Sequence, residues 1–216
     1  MQSAVPKQYL SLLGRPIIQH TLERLCAHTR VRGVMVGLAV DDVHWAKAVA
    51  TPAKFLGSCI GGATRAHTVL NGLHALLQHA KPDDWVMVHD AVRPCLRLAD
   101  VDRLIAAATA HTHGALLALP VSDTVKRVDE SGQIVETVAR ANLWRALTPQ
   151  MFRIDRLEQA LQQSLARGAE ITDEAAAIEV AGGRPVVVQG RPDNIKITVP
   201  EDLALAELFL KQQERG

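Results

Sequence analysis

Ala115-Leu-Leu-Ala-Leu119, closed by Pro120, is apolar at every position. That is the pattern of a strand covered on both faces, as in a parallel sheet wrapped by helices, because a strand with one wet face alternates instead. Just upstream, Val101, Leu104, Ile105 and Ala108 recur at helical spacing. Further back, Val69, Leu70, Leu73, Leu76 and Leu77 form a second helical stripe, ended by Pro82 before the strand Trp85–His89. Nearer the start, Ile18, Leu22 and Leu25 follow Pro16, a good first-turn residue, and run into the β-branched stretch Val31, Val34, Val36 and Val40. Helix and strand thus alternate on either side of Ala115–Leu119, which predicts a three-layer α/β domain with a mostly parallel sheet.

After Pro120 the rhythm breaks. Asp123 to Glu136 reads as a polar hairpin with Ser131-Gly132 at its turn, too hydrophilic for the core, so an arm is expected at about 121–142. Helical pattern resumes over Ile154–Leu165 and Asp173–Val180, the latter with Thr172 as N-cap and Gly182-Gly183 as stop. Pro185–Val188 reads as a strand, and Thr198-Val-Pro-Glu201 as a capping box opening the helix Asp202–Lys211.

A length of 216 residues suits a single domain, 1–216. No apolar run approaches the ~20 residues of a membrane span, and Met1 to Lys7 is too short and polar for a secretory signal, so the expected location is the cytoplasm. Cys26, Cys59 and Cys95 lie far apart without a C-x-x-C pair, which indicates free thiols. A net charge of +1 and 3% aromatics argue against nucleic acid and for a small ligand.

Ligands of open α/β sheets gather at the carboxyl ends of strands, which singles out four clusters. In Trp85-Val-Met-Val-His89-Asp90-Ala-Val-Arg93-Pro94 a buried strand delivers a carboxylate able to hold a divalent cation and an arginine able to hold phosphate. In Gly61-Gly62-Ala-Thr64-Arg65-Ala-His67-Thr68 two glycines lead into a helix start with an arginine, an anion site or simply a loop. Asp193-Asn-Ile195-Lys196-Ile-Thr198 reads as a short strand whose alternation turns Lys196 away from the isoleucines, toward solvent unless a cleft lies there. The fourth, Pro6-Lys7-Gln8-Tyr9, offers a lysine that reaches phosphate or is a terminal charge. No Ser or Cys stands in a G-x-S-x-G elbow, and the nine histidines form no H-E-x-x-H array.

The blocks PKQYL, GGATRAHTVLNGL, VHDAVRPCL, PVSDTVKR, LWRALTPQ, ITDEAAAIE and RPDNIKITVPEDLALAE, in this order from Lys7 to about Phe209, resemble the 2-C-methyl-D-erythritol 4-phosphate cytidylyltransferases. The resemblance implies a Rossmann-like nucleotidyltransferase sheet, a homodimer joined by the arm, and transfer of a cytidylyl group from CTP to 2-C-methyl-D-erythritol 4-phosphate with release of pyrophosphate. It implies that Lys7 stabilises the triphosphate and the transition state, and that Gly62, Arg65 and Thr68 form the cytosine and ribose pocket. By the same resemblance Asp90 holds Mg²⁺ and Arg93 reaches methylerythritol phosphate across the dimer. Thr124, Arg140, Thr148, Thr172 and Lys196 fall on the substrate side, with Lys196 joining Lys7 in catalysis.

The sequence departs from the family at two places. Ala63-Thr64 stand where acidic residues are expected after the glycine pair. The family's opening strand and its Ala-Ala-Gly-x-Gly-x-Arg-Met loop have no counterpart before Met1, which falls where the loop's last methionine belongs, and weak CTP binding is the expectation for the chain as it stands. The rival readings are a cytidylyltransferase for another alcohol phosphate such as ribitol 5-phosphate, and a catalytically impaired dimer-forming protein.

Overall fold

The computed structural model describes residues 5–214; Met1 lies outside them. A 3₁₀ turn at Lys7–Tyr9 leads through a tight hairpin, β1 (Ser11–Leu12) and β2 (Arg15–Pro16), into α1 (Ile17–Ala27). Then come β3 (Val34–Leu38), a short α2 (Trp45–Ala48), β4 (Phe55–Ile60), α3 (Arg65–Leu76) and β5 (Trp85–Val88). The second half holds α4 (Leu98–Thr109), β6 (Ala115–Pro120), β7 (Val125–Val128), β8 (Ile134–Val138) and β9 (Trp144–Arg153). It closes with α5 (Ile154–Ala166), α6 (Glu174–Val180), β10 (Val186–Gln189) and α7 (Glu201–Gln213).

The main sheet has the order β10-β6-β9-β5, and β3 pairs β4 in parallel as a separate ladder. β10 and β6 are parallel while β9 runs against both β6 and β5, so three of the four strands share one direction. Ala115–Leu119 in β6 is buried throughout, as the unbroken apolar run requires. Apolar side chains from α3, α5 and α6 fill one core cluster with Val86, Leu116 and Phe152, and those of α4 fill another with Leu117 and Met151. Among the described residues no helix is long and apolar enough to cross a membrane.

Three local expectations need correction. The N-cap of α6 is Asp173, whose carboxylate accepts from the Ala176 N–H at 2.9 Å, not Thr172. The anticipated capping box at Thr198 is closed by Asp202 rather than Glu201: its carboxylate accepts from the N–H groups of Thr198 and Val199 at 2.7 and 3.0 Å. Residues 193–198 form a loop, not a strand, although the alternation of burial survives, with Ile197 fully buried and Lys196 exposed. The arm is the β7–β8 hairpin; its turn places Gly132 at a φ of 83° and lets Asp129 accept from Ser131 and Gln133.

Candidate active site

A cleft of about 400 Å³ runs between β3 and β5, walled by α1 and α3, and at its polar end it meets Lys7, Arg65, Thr68, His89, Asp90 and Lys196. Each of these side chains is delivered by a local device. β5 anchors Val86 in the core and ends two residues before Asp90, whose carbonyl accepts from the Arg93 N–H at 3.1 Å, closing a turn before Pro94. Thr64 caps α3, its hydroxyl accepting from the His67 N–H, so Arg65 leaves from the first residue of the helix. Gly62 precedes that cap because any side chain there would run into the His67 Cβ. Lys7 stands on the 3₁₀ turn held by buried Tyr9, whose hydroxyl donates to Asp42 at 2.7 Å.

The centre of the cluster is the Asp90 carboxylate. Arg65 Nη2 lies 3.3 Å from Oδ1, while Arg93 Nε and Lys196 Nζ lie 3.2 and 3.1 Å from Oδ2. Burial alone would raise this carboxyl, but Arg65, Lys196 and Arg93 together outweigh it and hold it down at about 2. Arg65 also forms a bidentate pair with Glu174, at 2.5 and 3.1 Å, and Glu174 is 1% exposed. Three cations face two carboxylates here, which leaves the cluster with net positive charge; with Lys7 on the same cleft, the surroundings suit a polyanion.

His89 ties the turn to the sheet. Its Nε2–H donates to the Arg93 carbonyl at 3.1 Å, so its Nδ1 accepts from the Thr148 hydroxyl at 2.9 Å, and that hydroxyl in turn accepts from the Asp90 N–H at 3.0 Å. Burial, set partly against this hydrogen bonding, lowers the imidazole to about 4, so it is neutral at physiological pH. An unfolded histidine takes its proton near 6.5, whereas this one resists until about 4. The folded state therefore loses stability as pH falls through that window, by about 3 kcal/mol in all. Urea unfolding at pH 7 and pH 4.5 should register most of that loss, and His89→Gln should remove the imidazole's share of the pH dependence; an equal slope in the variant would refute this role for His89.

The residues anticipated from sequence divide into two groups. Lys7, Arg65, Thr68, Asp90 and Lys196 converge on the cleft, and Gly62 adjoins it through its N–H, which donates to the Thr68 hydroxyl at 3.0 Å. Arg93 is buried and turned inward, bonded to Asp90 and to the Asn194 carbonyl at 2.9 Å, so within one protomer it does not reach outward. Thr148 is buried too, with its hydroxyl engaged in both hydrogen-bonding directions. Thr124 and Arg140 are exposed at the base of the arm, where Arg140 donates to the Ser122 carbonyl, and Thr172 is exposed just before α6. Sequence reasoning did not single out Glu174; the signal available was an acid at the head of an otherwise alanine-rich buried helix.

Known proteins share this arrangement of elements. The family model for IspD, 2-C-methyl-D-erythritol 4-phosphate cytidylyltransferase, matches residues 1–212. A protein of that name from Xanthomonas campestris pv. campestris strain B100 is 50% identical over 213 residues, covering 99% of this chain and 80% of the relative. One from Shewanella loihica is 50% identical over 214 residues, covering 98% and 87%. Among solved structures, 4-diphosphocytidyl-2C-methyl-D-erythritol synthase superposes with a TM-score of 0.85 at 39% identity over 94% of both chains. The Francisella tularensis 2-C-methyl-D-erythritol 4-phosphate cytidylyltransferase superposes with a TM-score of 0.85 at 34% identity, over 95% and 93%. Sequence and three-dimensional likeness extend over nearly the whole chain, and it belongs to the 2-C-methyl-D-erythritol 4-phosphate cytidylyltransferase family.

Proposed function

We propose that the protein transfers the cytidylyl group of CTP to 2-C-methyl-D-erythritol 4-phosphate, giving 4-diphosphocytidyl-2-C-methyl-D-erythritol and pyrophosphate, as a cytoplasmic enzyme of isoprenoid precursor biosynthesis. The observation that carries the reading at the site is the cluster of Arg65, Arg93 and Lys196 around one carboxylate, with Lys7 on the same cleft. An oxygen of the acceptor's phosphate attacks the α-phosphorus of CTP in line, the bond to the β-phosphate oxygen breaks, and pyrophosphate leaves with that electron pair. Both reactants are anions and the nucleophile is already ionised, so no general base is needed. The protein's work is to neutralise charge and align the two partners.

Lys7 and Lys196 reach the phosphates as mobile point charges. Gly62, Arg65 and Thr68 bound the nucleoside at the start of α3. Thr124, Arg140 and Thr172 serve the acceptor, whereas Thr148, turned inward, acts on it only by fixing the Asp90 turn. Mg²⁺ fits a site of this kind only in company. Asp90 is the carboxylate that lines the cleft, both its oxygens are engaged, and no group of three or more His, Cys, Asp or Glu side chains among the described residues could hold a metal. One carboxylate plus nucleotide phosphates and water is a usual Mg²⁺ shell. The ion, held by Asp90, would offset negative charge on the phosphates. Turnover of CTP with a panel of alcohol phosphates, followed by pyrophosphate release, tests the assignment; preference for ribitol 5-phosphate over methylerythritol phosphate would overturn the acceptor.

We further propose a homodimer through the arm. Val128 on β7 and Ile134 and Val135 on β8, with Leu143 and Trp144 at the arm's base, are exposed apolar side chains that a lone protomer leaves in water. Replacing residues 125–138 by a short Gly-Ser link should halve the mass found by sedimentation equilibrium. An unchanged mass would count against the arm as the interface.

A further inference from the structure

Glu174 heads α6 with a carboxylate that is 1% exposed, next to a cluster otherwise read from Asp90 outward. Its base is rigid: Asp173 caps the helix, and Gln150 of β9 accepts from the Ala175 N–H at 2.8 Å and donates to Asp173 at 2.9 Å. Burying a carboxylate is costly unless it is paired, and burial does push this carboxyl upward against the pull of Arg65. Among the described residues its one ion-pair partner is Arg65, gripped fork to fork at 2.5 and 3.1 Å. A neutral glutamine would fill the same space, so packing alone does not call for the charge.

The same guanidinium turns its Nε and Nη2 to Asp90 Oδ1, at 3.4 and 3.3 Å. Nη2 is thereby shared between the two carboxylates, and Nη1 keeps one N–H without an acceptor among the described residues, on a side chain 36% exposed that lines the cleft. We propose that Glu174 is a positioning residue for the transfer reaction, holding the Arg65 guanidinium against Asp90 so that its free N–H and its charge face the bound nucleotide. This rests on the reading of the cleft as the nucleotide site. Without the fork, Arg65 is free to fold fully onto Asp90 or to swing into solvent, and Asp90 loses the partner that fixes its Oδ1.

The test is a double-mutant cycle with Glu174→Gln and Arg65→Ala, read both as kcat/KM for cytidylyl transfer and as CTP affinity by calorimetric titration. Glu174→Gln alone should lower kcat/KM by about ten- to a hundredfold. In the Arg65→Ala background it should change neither readout by more than about twofold, since a residue acting through another has nothing left to act on. Glu174→Asp, which keeps the charge, should recover part of the loss. Losses that multiply in the double variant would mean that Glu174 acts through the fold and not through Arg65, and the proposal would fall. Transfer by the unmutated protein tests the reaction itself, while the affinity cycle reports on Glu174 even if that reaction is absent.

Discussion

Replacing Asp90 by alanine should lower turnover on the order of a hundred- to a thousandfold, the usual loss when one preorganised electrostatic element of a site is removed. Asp90 is the carboxylate on which Arg65, Arg93 and Lys196 converge, so its loss does more than delete the proposed ligand for Mg²⁺. Glu174 still balances Arg65, but Arg93 and Lys196 lose the carboxylate between them, and Lys196 is no longer held at 3.1 Å over the cleft. The structure also adds an effect that the strand-tip position alone did not imply. Arg93 is buried and Asp90 is its ion-pair partner, so alanine should reduce stability as well, by about 3 kcal/mol. Asp90→Asn separates the two, because an amide oxygen can still accept from Arg93 but brings no charge to the cation. Pyrophosphate release and urea unfolding on both variants are the measurements. If the asparagine variant keeps more than about a tenth of the turnover, corresponding to under about 1.4 kcal/mol, Asp90 is not part of the reacting site.

The largest stability effect should come from Phe152→Ala, at about 3–5 kcal/mol. Phe152 is 1% exposed on β9, paired in register with Val86 of β5, and packed in the cluster that α3, α5 and α6 lay against the sheet. Removing its ring leaves a cavity that neighbours on a central strand cannot collapse to fill. Since a domain of this kind has only about 5–15 kcal/mol of stability in total, the variant should unfold at much lower urea. Its denaturant slope should stay that of the unmutated protein. A loss below about 1 kcal/mol would mean that β9 is not the interior strand described, because only a site that relaxes freely tolerates such a truncation. Gly114 belongs to the same place: at a φ of 76° it passes beside the Met151 carbonyl and the Phe152 ring, where a side chain would collide with both.

Much of this architecture was legible in one dimension because it rests on periodicity. The unbroken apolar run of β6, the helical stripes of α1, α3, α4 and α5, and the strand that ends before Asp90 all carry patterns that do not depend on distant partners. β9 was missed for a physical reason. Pro149 in Trp144–Arg153 argues against a central strand, since it cannot donate to a ladder. Here the pairing with β6 shifts register between Leu116 and Ala118, and Pro149 falls within the part of β9 that this shift skips. β4 has no clear one-dimensional signature, since Gly57 interrupts a short apolar run; that glycine stands at a φ of 146° where the β3–β4 ladder is irregular.

The sequence by itself determined the α/β class, the arm, the family, and which motifs supply cations and carboxylate, because each of these is written in local pattern or in blocks of residues kept in order. It did not determine how those groups pair. Lys196 looked like a solvent-facing lysine until the loop of residues 193–198 laid it against Asp90, 106 positions away by number, at 3.1 Å. Glu174 and Arg65, separated by 109 positions, form a buried fork, and Thr148 and His89, separated by 59, share a hydrogen bond. Arg93 and Thr148 face inward for the same reason. Ion pairs and buried hydrogen bonds depend on distance and desolvation between segments remote in the chain, and those quantities exist only once the sheet has brought β5, β9 and the loops beyond them together.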